Sequence, residues 1–435
     1  MLNSSKISNG INGIIKIPGD KSISHRSIII PSIANGISEI SNILMSDDVL
    51  NTLNAFEKMG VKIEKFKNKI IIYGKGLNSL KKPNASIYLG NSGTSARLLT
   101  GLLSAQKFDS DISGDKSLSS RPMKRITEPL EAMGAKFISD TGTLPLSIIG
   151  KKLKNINYEI KIPSAQVKSG MILAALFTDG KTKINESNIT RNHTEIMLKY
   201  FGAKINIEQK ISSCSITVEG QHELNAQNIN VPSDLSSAAF FIVAAIINPN
   251  SNILLENINI NPSRDGILRA LKLMGANIKI ENQRIINEEI VSDIRVKSSQ
   301  LSGCKLDEEM AKLMIDEYPI LSIAASYANS PSVFKGLKEL RVKESDRLEL
   351  IRMNLEKCGV DCTVTNDSLI INPKNKYYQK NNKIKTDFDH RIAMSFAVMG
   401  TLNNTELLIE DSDSIKTSFP DFINTFNKCG GNLRA

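Results

Sequence analysis

The sequence predicts an α/β protein of two halves, each containing three repeated helix–strand units. Its 435 residues are too many for one ordinary hydrophobic core, which indicates two domains. A short phrase also recurs six times about 70 residues apart, a spacing too long for a solenoid repeat. In each copy an amphipathic helix is expected to end at a left-handed glycine, after which a strand begins. These glycines are Gly60, Gly134, Gly202, Gly275, Gly359 and Gly430.

The first copy shows the helix–strand pattern clearly. Asp47 or Asp48 can cap the start of its helix, and the apolar side chains form one stripe of Val49, Leu53, Phe56 and Met59. In the third copy, Asn192 followed by Glu195 matches a capping box. A single helix–glycine–strand phrase is common in α/β proteins, but six copies in register indicate a duplicated domain.

The composition is typical of a soluble globular protein, with 41% hydrophobic and 23% charged residues. The longest apolar run, 238–247, is too short to cross a bilayer, and residues 1–6 lack the apolar core of a signal peptide. A cytoplasmic protein without membrane association is therefore expected. The five cysteines show no complete metal-binding spacing, since Cys358 and Cys362 lack a second pair, and free thiols are expected.

The net charge of +10 permits nucleic acid, an acidic membrane surface or small anions as partners. The basic residues are scattered, aromatic residues make up only 5%, and tryptophan is absent, so platforms for stacking nucleic-acid bases are scarce. Small anionic molecules are favoured, and no nucleic-acid partner is expected. A basic nucleic-acid-binding protein remains an alternative, which filter binding at increasing salt concentration would distinguish.

The opening loop, 18–26, combines a Pro-Gly turn with serines and cations before an apolar run. Helix N-termini carry unpaired N–H groups and a partial positive charge, so Lys21, Ser22 and Arg26 there predict an anion site. A basic surface turn with serine caps is the alternative. Similar loops precede apolar helices at 89–99, 114–123, 162–170 and 190–193, where Arg121 and Arg191 add cations.

The second half contributes loops that carry carboxylates as well as cations. Asp316 ends one apolar segment, and Lys343, Glu344 and Arg347 follow one another within a single turn, although a solvated helix face would look similar. His390 next to Arg391 fits either a proton carrier or a structural hydrogen-bonding role. No P-loop, zinc spacing or Rossmann fingerprint is present. A cleft with this lining would suit two multiply anionic substrates, with acid–base help and without a metal or cofactor.

The motifs in this order closely resemble the 5-enolpyruvylshikimate-3-phosphate synthase family over essentially the whole chain. They are the segments 19–26, 89–94, 121–123, 164–169, 316–319, 341–347 and 389–395. The segment 164–169, Ser-Ala-Gln-Val-Lys-Ser, resembles the class II bacterial branch. The resemblance implies a two-domain inside-out α/β barrel, with three βαβαββ units per domain. It implies one domain from 1–21 with 234–435, another from 22–233, an active site in the cleft between them, and domain closure on the substrates.

The resemblance also implies the reaction, which moves the enolpyruvyl group of phosphoenolpyruvate onto the 5-hydroxyl of shikimate 3-phosphate and releases phosphate. Asp316 matches the base near this hydroxyl, and Glu344 matches the acid for the C3 proton, with Lys21 as its rival. The implied shikimate 3-phosphate ligands are Lys21, Ser22, Arg26, Ser164, Ala165, Gln166, Arg191, Asp316 and Lys343. The implied phosphoenolpyruvate ligands are Lys21, Gly93, Arg121, Gln166, Arg347 and Arg391. No metal or cofactor is implied, and a monomer is expected.

At three positions this sequence differs from other members of the family that it resembles. Lys416 stands one residue earlier, relative to Phe419-Pro420, than the lysine of many members, and Ala165 replaces a serine of the other branch. Gly93 stands where tolerant class II enzymes carry alanine, so the resemblance predicts inhibition by glyphosate, competitive with phosphoenolpyruvate.

The nearest rival function is enolpyruvyl transfer to UDP-N-acetylglucosamine. That enzyme usually has a cysteine in the loop before its Arg-Pro, and 114–120 contains none.

Overall fold

The computed structural model describes residues 1–67, 69–373, 382–402 and 406–435. The chain divides into two compact units. The 19–231 unit comprises Gly19–Val231 with Ile286–Glu289, and the 232–435 unit comprises Met1–Pro18, Pro232–Ile285 and Ile290–Ala435. The chain therefore leaves the second unit after its first strands and returns to it at Pro232.

The strands of the described residues are numbered in chain order. They are β1 (Leu2–Ser4), β2 (Asn12–Ile15), β3 (Asn35–Ser41), β4 (Lys62–Lys65), β5 (Lys69–Lys75), β6 (Ile87–Tyr88), β7 (Ser110–Ser113), β8 (Lys136–Ile138), β9 (Leu146–Ile149), β10 (Asn157–Glu159), β11 (Lys181–Glu186), β12 (Ile205–Gln209), β13 (Cys214–Glu219), β14 (Ile229–Asn230), β15 (Asn252–Asn259), β16 (Asn277–Ile286), β17 (Glu289–Lys297), β18 (Lys305–Leu306), β19 (Ser332–Phe334), β20 (Asp361–Val364), β21 (Leu369–Asn372), β22 (Asn382–Ile384), β23 (Leu407–Ile409) and β24 (Leu433–Arg434).

The helices are numbered in the same way. They are α1 (Lys21–Ser32), α2 (Asp47–Lys58), α3 (Gly93–Ser104), α4 (Lys116–Ser119), α5 (Lys124–Ala132), α6 (Ala165–Ala175), α7 (His193–Tyr200), α8 (Leu235–Ile247), α9 (Gly266–Leu273), α10 (Glu308–Met314), α11 (Tyr318–Ser326), α12 (Arg347–Lys357), α13 (His390–Gly400) and α14 (Phe422–Lys428). Two 3₁₀ helices, Lys338–Val342 and Ser412–Thr417, complete the description. No helix of the described ranges has the length and apolar character needed to span a membrane.

Each unit contains three four-stranded mixed sheets with one arrangement. The orders are β14-β3-β5-β4, β6-β7-β9-β8 and β10-β11-β13-β12 in the 19–231 unit, and β2-β15-β17-β16, β18-β19-β21-β20 and β22-β23-β1-β24 in the 232–435 unit. The first two strands of each order run parallel. In the third sheet Ile184 pairs with Ile216 across β11 and β13, and both side chains are buried. The sixfold repeat of one sheet pattern agrees with the predicted duplication.

Three helices at the centre of each unit are buried on nearly all sides. In the 19–231 unit these are α1, α3 and α6, and in the 232–435 unit they are α8, α11 and α13. A helix that is apolar all round must be enclosed by protein, as in α8, where all residues but Ile247 are buried. Many strands are half exposed, such as β13 with its alternating buried and intermediate residues. Helices inside and sheets outside give each unit the inside-out α/β arrangement that was predicted.

The six repeat glycines adopt the predicted conformation. Each has a positive φ, from 78° at Gly359 to 108° at Gly430. Each follows one of the helices α2, α5, α7, α9, α12 and α14 and precedes a strand. The prediction of six helix–glycine–strand junctions is therefore confirmed.

The predicted helix caps in two of these repeats are wrong. Ser46, and neither Asp47 nor Asp48, is the N-cap residue of α2, and its side chain makes no capping hydrogen bond. Asn192 is the N-cap residue of α7 but also makes no side-chain cap, so the capping box is not formed. The carboxylate of Glu195 pairs with Lys168 instead.

Candidate active-site residues

In the 19–231 unit, the three buried helices expose little except their first turns. The incompletely buried residues are Lys21 and Ser22 of α1, Thr94 and Arg97 of α3, and Ala165 and Gln166 of α6. Four of these six were predicted as ligands of shikimate 3-phosphate. Because first-turn N–H groups lack partners within the helix, such ends suit bound anions.

Lys21 opens α1, whose N-cap residue Asp20 accepts a 2.9 Å hydrogen bond from the Ile23 amide. The Lys21 ammonium lies 2.5 Å from a carboxylate oxygen of Asp48 on α2. Sequence reasoning considered Asp48 only as a helix cap. In the structure Asp48 fixes the direction of the predicted catalytic lysine.

His25 lies one turn further along α1 and is fully buried. Its Nδ1 is 2.8 Å from the Thr52 hydroxyl and 3.2 Å from that of Ser95, and its Nε2 is 3.4 Å from that of Ser92. Burial, followed by the positive charges of Lys21 and Arg26, lowers the pKa of His25 well below its ordinary value. A neutral imidazole therefore connects α1 to Thr52 of α2 and to the start of α3.

Arg26 is held by hydroxyl groups of two other helices. Its Nε donates to Thr194 Oγ1 at 2.6 Å, and its Nη2 donates to Ser169 Oγ at 2.8 Å. Burial lowers the pKa of Arg26 to about 10, although the charges of Glu195, Asp20 and Glu289 oppose this effect. The charge of Arg191, which is half-buried ahead of α7, acts in the same direction as burial.

A buried lysine also joins α6 to α7. Lys168 Nζ lies 2.8 Å from Glu186 and 2.7 Å from Glu195, and all three side chains are 1% exposed. Burial opposes the charge on Lys168, but the two carboxylates outweigh it and raise the pKa of Lys168. The first turn of α6, with Ser164 as its N-cap residue, is thereby fixed to α7.

The remaining predicted ligands of this unit surround the start of α3. Gln166 donates a 3.0 Å hydrogen bond to Thr94 Oγ1. Arg121 donates through Nη2 to Asn91 and, at 3.2 Å, to Ser117 Oγ. A Cβ at Gly93 would lie 3.1 Å from Arg121 Nη1. The structure therefore brings Gly93, Arg121 and Gln166 to one helix terminus.

In the 232–435 unit, the predicted residues cluster around one buried arginine. Arg347 is 1% exposed, and its Nη1 donates to Asp316 Oδ1 at 3.2 Å. Its Nη2 lies 2.6 Å from Glu344, and Lys343 Nζ lies 3.5 Å from the same Asp316 oxygen. One guanidinium thus holds both predicted acid–base carboxylates.

Asp389 completes the surroundings of Arg347. It is fully buried, accepts from Arg347 Nε at 2.7 Å, and caps α13 through the Arg391 amide. Burial disfavours the charge on Arg347, but Asp389, Glu344 and Asp316 outweigh that effect and raise its pKa. Asp389 stands in one of the sequence motifs, but the sequence alone predicted no role for it.

Two further residues noted in the sequence, His390 and Lys416, belong to the same unit. His390 is 4% exposed, with Nδ1 3.4 Å from the Thr417 hydroxyl. Lys416 is 64% exposed and pairs with Asp413 at 2.8 Å within the 3₁₀ helix. Within the described part of the chain, no group of three histidine, cysteine or acidic side chains is placed to hold a metal ion.

Comparison with known proteins identifies the family. The family model for EPSP synthase (3-phosphoshikimate 1-carboxyvinyltransferase) matches residues 5–426. The chain is 48% identical over 428 residues to the 3-phosphoshikimate 1-carboxyvinyltransferase of Vesicomyosocius okutanii, covering 98% of this chain and 97% of that protein. The protein of the same name from Hydrogenovibrio crunogenus is 44% identical over 429 residues, covering 98% and 96%.

Solved structures agree in fold. EPSP synthase from Acinetobacter baumannii superposes with a TM-score of 0.88 at 43% identity, covering 100% of this chain and 99% of that one. The enolpyruvyl transferase NikO from Streptomyces tendae shares the fold, with a TM-score of 0.79 at 13% identity and coverage of 100% and 98%. The predicted α/β architecture is confirmed, and the extent of the sequence match shows that the chain belongs to the EPSP synthase (3-phosphoshikimate 1-carboxyvinyltransferase) family.

Proposed function

We propose that this chain transfers the enolpyruvyl group of phosphoenolpyruvate to the 5-hydroxyl of shikimate 3-phosphate and releases phosphate. The observation that carries the proposal is that otherwise buried helices expose mainly their first turns. Those turns present Lys21, Ser22 and Gln166 in one unit and Arg391 in the other. Helix termini that combine N–H groups with cations are suited to phosphate and carboxylate groups.

Addition of the 5-hydroxyl to C2 requires one proton to leave the hydroxyl and one to reach C3, and the expulsion of phosphate requires C3 to lose a proton again. The carboxylates of the 232–435 unit can provide these proton movements. We assign Asp316 as the base for the 5-hydroxyl and Glu344 as the acid for C3, with Lys21 as the alternative acid. Arg347 orients both carboxylates through Nη1 and Nη2. Fixed cations stabilise the developing charges better than water does, because they need no reorganisation during the reaction.

We assign a set of binding residues to each of the two substrates. Shikimate 3-phosphate is assigned to Lys21, Ser22, Arg26, Ser164, Ala165, Gln166, Arg191, Asp316 and Lys343. Phosphoenolpyruvate is assigned to Lys21, Gly93, Arg121, Gln166, Arg347 and Arg391. We also propose that the two units are the two expected domains and that the enzyme is a cytoplasmic monomer of the class II branch.

The experiment that tests the function is phosphate release from the two substrates together. Release is expected only when phosphoenolpyruvate and shikimate 3-phosphate are both present, and a chelator should leave the rate unchanged. UDP-N-acetylglucosamine replaces shikimate 3-phosphate in a parallel reaction. Release with that acceptor alone would contradict the proposal.

The assignment of Arg121 predicts a defect confined to one substrate. Replacing Arg121 by alanine should raise KM for phosphoenolpyruvate about 10- to 100-fold, because a charged hydrogen bond contributes roughly 1.5–3 kcal/mol. Asn91 and Ser117 already orient this guanidinium, so little ordering is needed on binding. Steady-state kinetics with each substrate varied in turn measures the effect. If only KM for shikimate 3-phosphate rises, Arg121 does not bind phosphoenolpyruvate and its assignment is wrong.

The absence of a side chain at Gly93 predicts inhibition by glyphosate, competitive with phosphoenolpyruvate. An alanine Cβ there would lie 2.9 Å from Arg97 Nη1 and 3.1 Å from Arg121 Nη1, so both guanidinium groups must shift. Gly93→Ala should therefore lower inhibition and also raise KM for phosphoenolpyruvate. Inhibition curves for both proteins at one fixed phosphoenolpyruvate concentration provide the test. Equal insensitivity of wild type and variant would refute the steric explanation.

A further inference from the structure

Four polar side chains of the 232–435 unit form a buried chain of hydrogen bonds. Arg264, Asp234, Ser236 and Glu317 are between 2% and 5% exposed. Arg264 Nη2 donates to Asp234 Oδ1 at 3.0 Å and to Ser236 Oγ at 2.7 Å. The Ser236 hydroxyl in turn donates to Glu317 Oε1. Burying four such groups is costly unless each is held by a partner, so their arrangement is strongly constrained.

This buried chain ends at Arg391, one of the residues assigned to phosphoenolpyruvate. Arg391 Nη1 lies 3.7 Å from Glu317 Oε1 and donates at 3.2 Å to the backbone oxygen of Asp316. The same nitrogen is therefore placed relative to both the carboxylate of Glu317 and the residue assigned as the base. Arg391 is 14% exposed, and it is the one residue of α13 that is not buried.

The Glu317 side chain does not cap the helix that begins next to it. Glu317 occupies the N-cap position of α11, but its side chain makes no capping hydrogen bond. Its Oε2 has no hydrogen-bond partner among the described residues, whereas Oε1 faces Ser236 and Arg391. A group retained only for stability would be expected to satisfy both oxygens, because an unpaired buried oxygen is unfavourable. The carboxylate is thus directed at the arginine and away from the helix it precedes.

We infer that Glu317 is a positioning residue for Arg391, held in place by Arg264 and Ser236. This inference rests on the proposed function, in which Arg391 binds phosphoenolpyruvate. The negative charge of Glu317 keeps the guanidinium directed along the Asp316 backbone before the substrate arrives. Since the ordering is done in the free enzyme, phosphoenolpyruvate does not have to supply it on binding.

The test compares Glu317→Gln with wild type in steady-state kinetics. KM for phosphoenolpyruvate should rise about 5- to 10-fold, equivalent to about 1–1.4 kcal/mol, while KM for shikimate 3-phosphate and kcat change less than about twofold. Tyr318→Phe is the matched control, because the neighbouring hydroxyl has no hydrogen-bond partner among the described residues. That control should behave as wild type.

A double-mutant cycle separates positioning from a merely structural role. In an Arg391→Gln background no charge remains for Glu317 to hold, so Glu317→Gln should have no further effect on KM for phosphoenolpyruvate. Equal loss in both backgrounds, or a defect shared by both substrates, would overturn the inference. If Glu317→Gln does not fold, Ser236→Ala is measured in its place. It should raise KM for phosphoenolpyruvate about 2- to 3-fold. An unchanged KM in Ser236→Ala would also overturn the inference. Inactive wild type would instead overturn the proposed function, and the inference with it.

Discussion

Replacing Asp316 by asparagine is expected to lower kcat at least about 100-fold, with a smaller effect on shikimate 3-phosphate binding. The asparagine keeps the shape of the side chain and can still accept hydrogen bonds from Lys343 and Arg347. It cannot take a proton from the 5-hydroxyl at neutral pH. The defect should therefore fall on the chemical step.

Two measurements check this expectation. Single-turnover kinetics reports the chemical step, and isothermal titration reports shikimate 3-phosphate binding. Asp413→Asn is a matched control, because it makes the same change in an aspartate that pairs with a lysine but is 89% exposed. Unchanged turnover in Asp316→Asn would remove Asp316 from the mechanism.

The second large effect is expected on stability, at Lys168. Lys168→Met should lower the free energy of unfolding by about 3–5 kcal/mol, because it leaves two buried carboxylates without a cation. Denaturant titration measures the change. Lys152→Met is the matched control in the same unit, since its pair with Asp179 is 75% and 61% exposed and contributes little.

The cause can be checked by removing the charges that are left behind. Adding Glu186→Gln and Glu195→Gln to Lys168→Met should restore part of the lost stability, since the two carboxylates that had lost their cation are then uncharged. The raised pKa of Lys168 also sets a pH dependence. Its stabilising contribution is fully present below pH 10.5, the value of an unperturbed lysine, and is lost as the pH rises through the higher folded-state pKa. Equal stability losses in the single and triple variants would show that packing, not charge, is responsible.

The repeating elements of the fold were predictable because their causes are local. A left-handed glycine after an amphipathic helix depends on a few neighbouring residues, and all six examples, from Gly60 to Gly430, have this conformation. The burial of α8 follows equally from its own apolar sequence. Such features require no knowledge of distant parts of the chain.

The partners of the charged residues were not predictable in the same way. Lys343, Glu344 and Arg347 are charged residues of one short segment, and nothing in the sequence separates them by burial. In the structure Arg347 is buried and the other two are about one-quarter exposed. The difference comes from Asp389, 42 residues away, which becomes its neighbour only in the fold. Glu195 fits a local capping box, but the buried ammonium of Lys168 attracts its carboxylate more strongly. Tertiary electrostatics here overrides a local preference.

The division of the chain between the units also has a consequence for the order of folding. In the 19–231 unit every sheet is complete once β14 has been synthesised at Asn230. By contrast, β2 must wait for β15, and β1 must wait for β23, where Leu2 pairs with Ile409 across about 400 residues. Contacts so distant in sequence slow folding, and synthesis delays them further. The nascent chain should therefore carry a folded 19–231 unit while β1 and β2 are still unpaired. Later strands then pair with β1 on both sides and with β2 on one side.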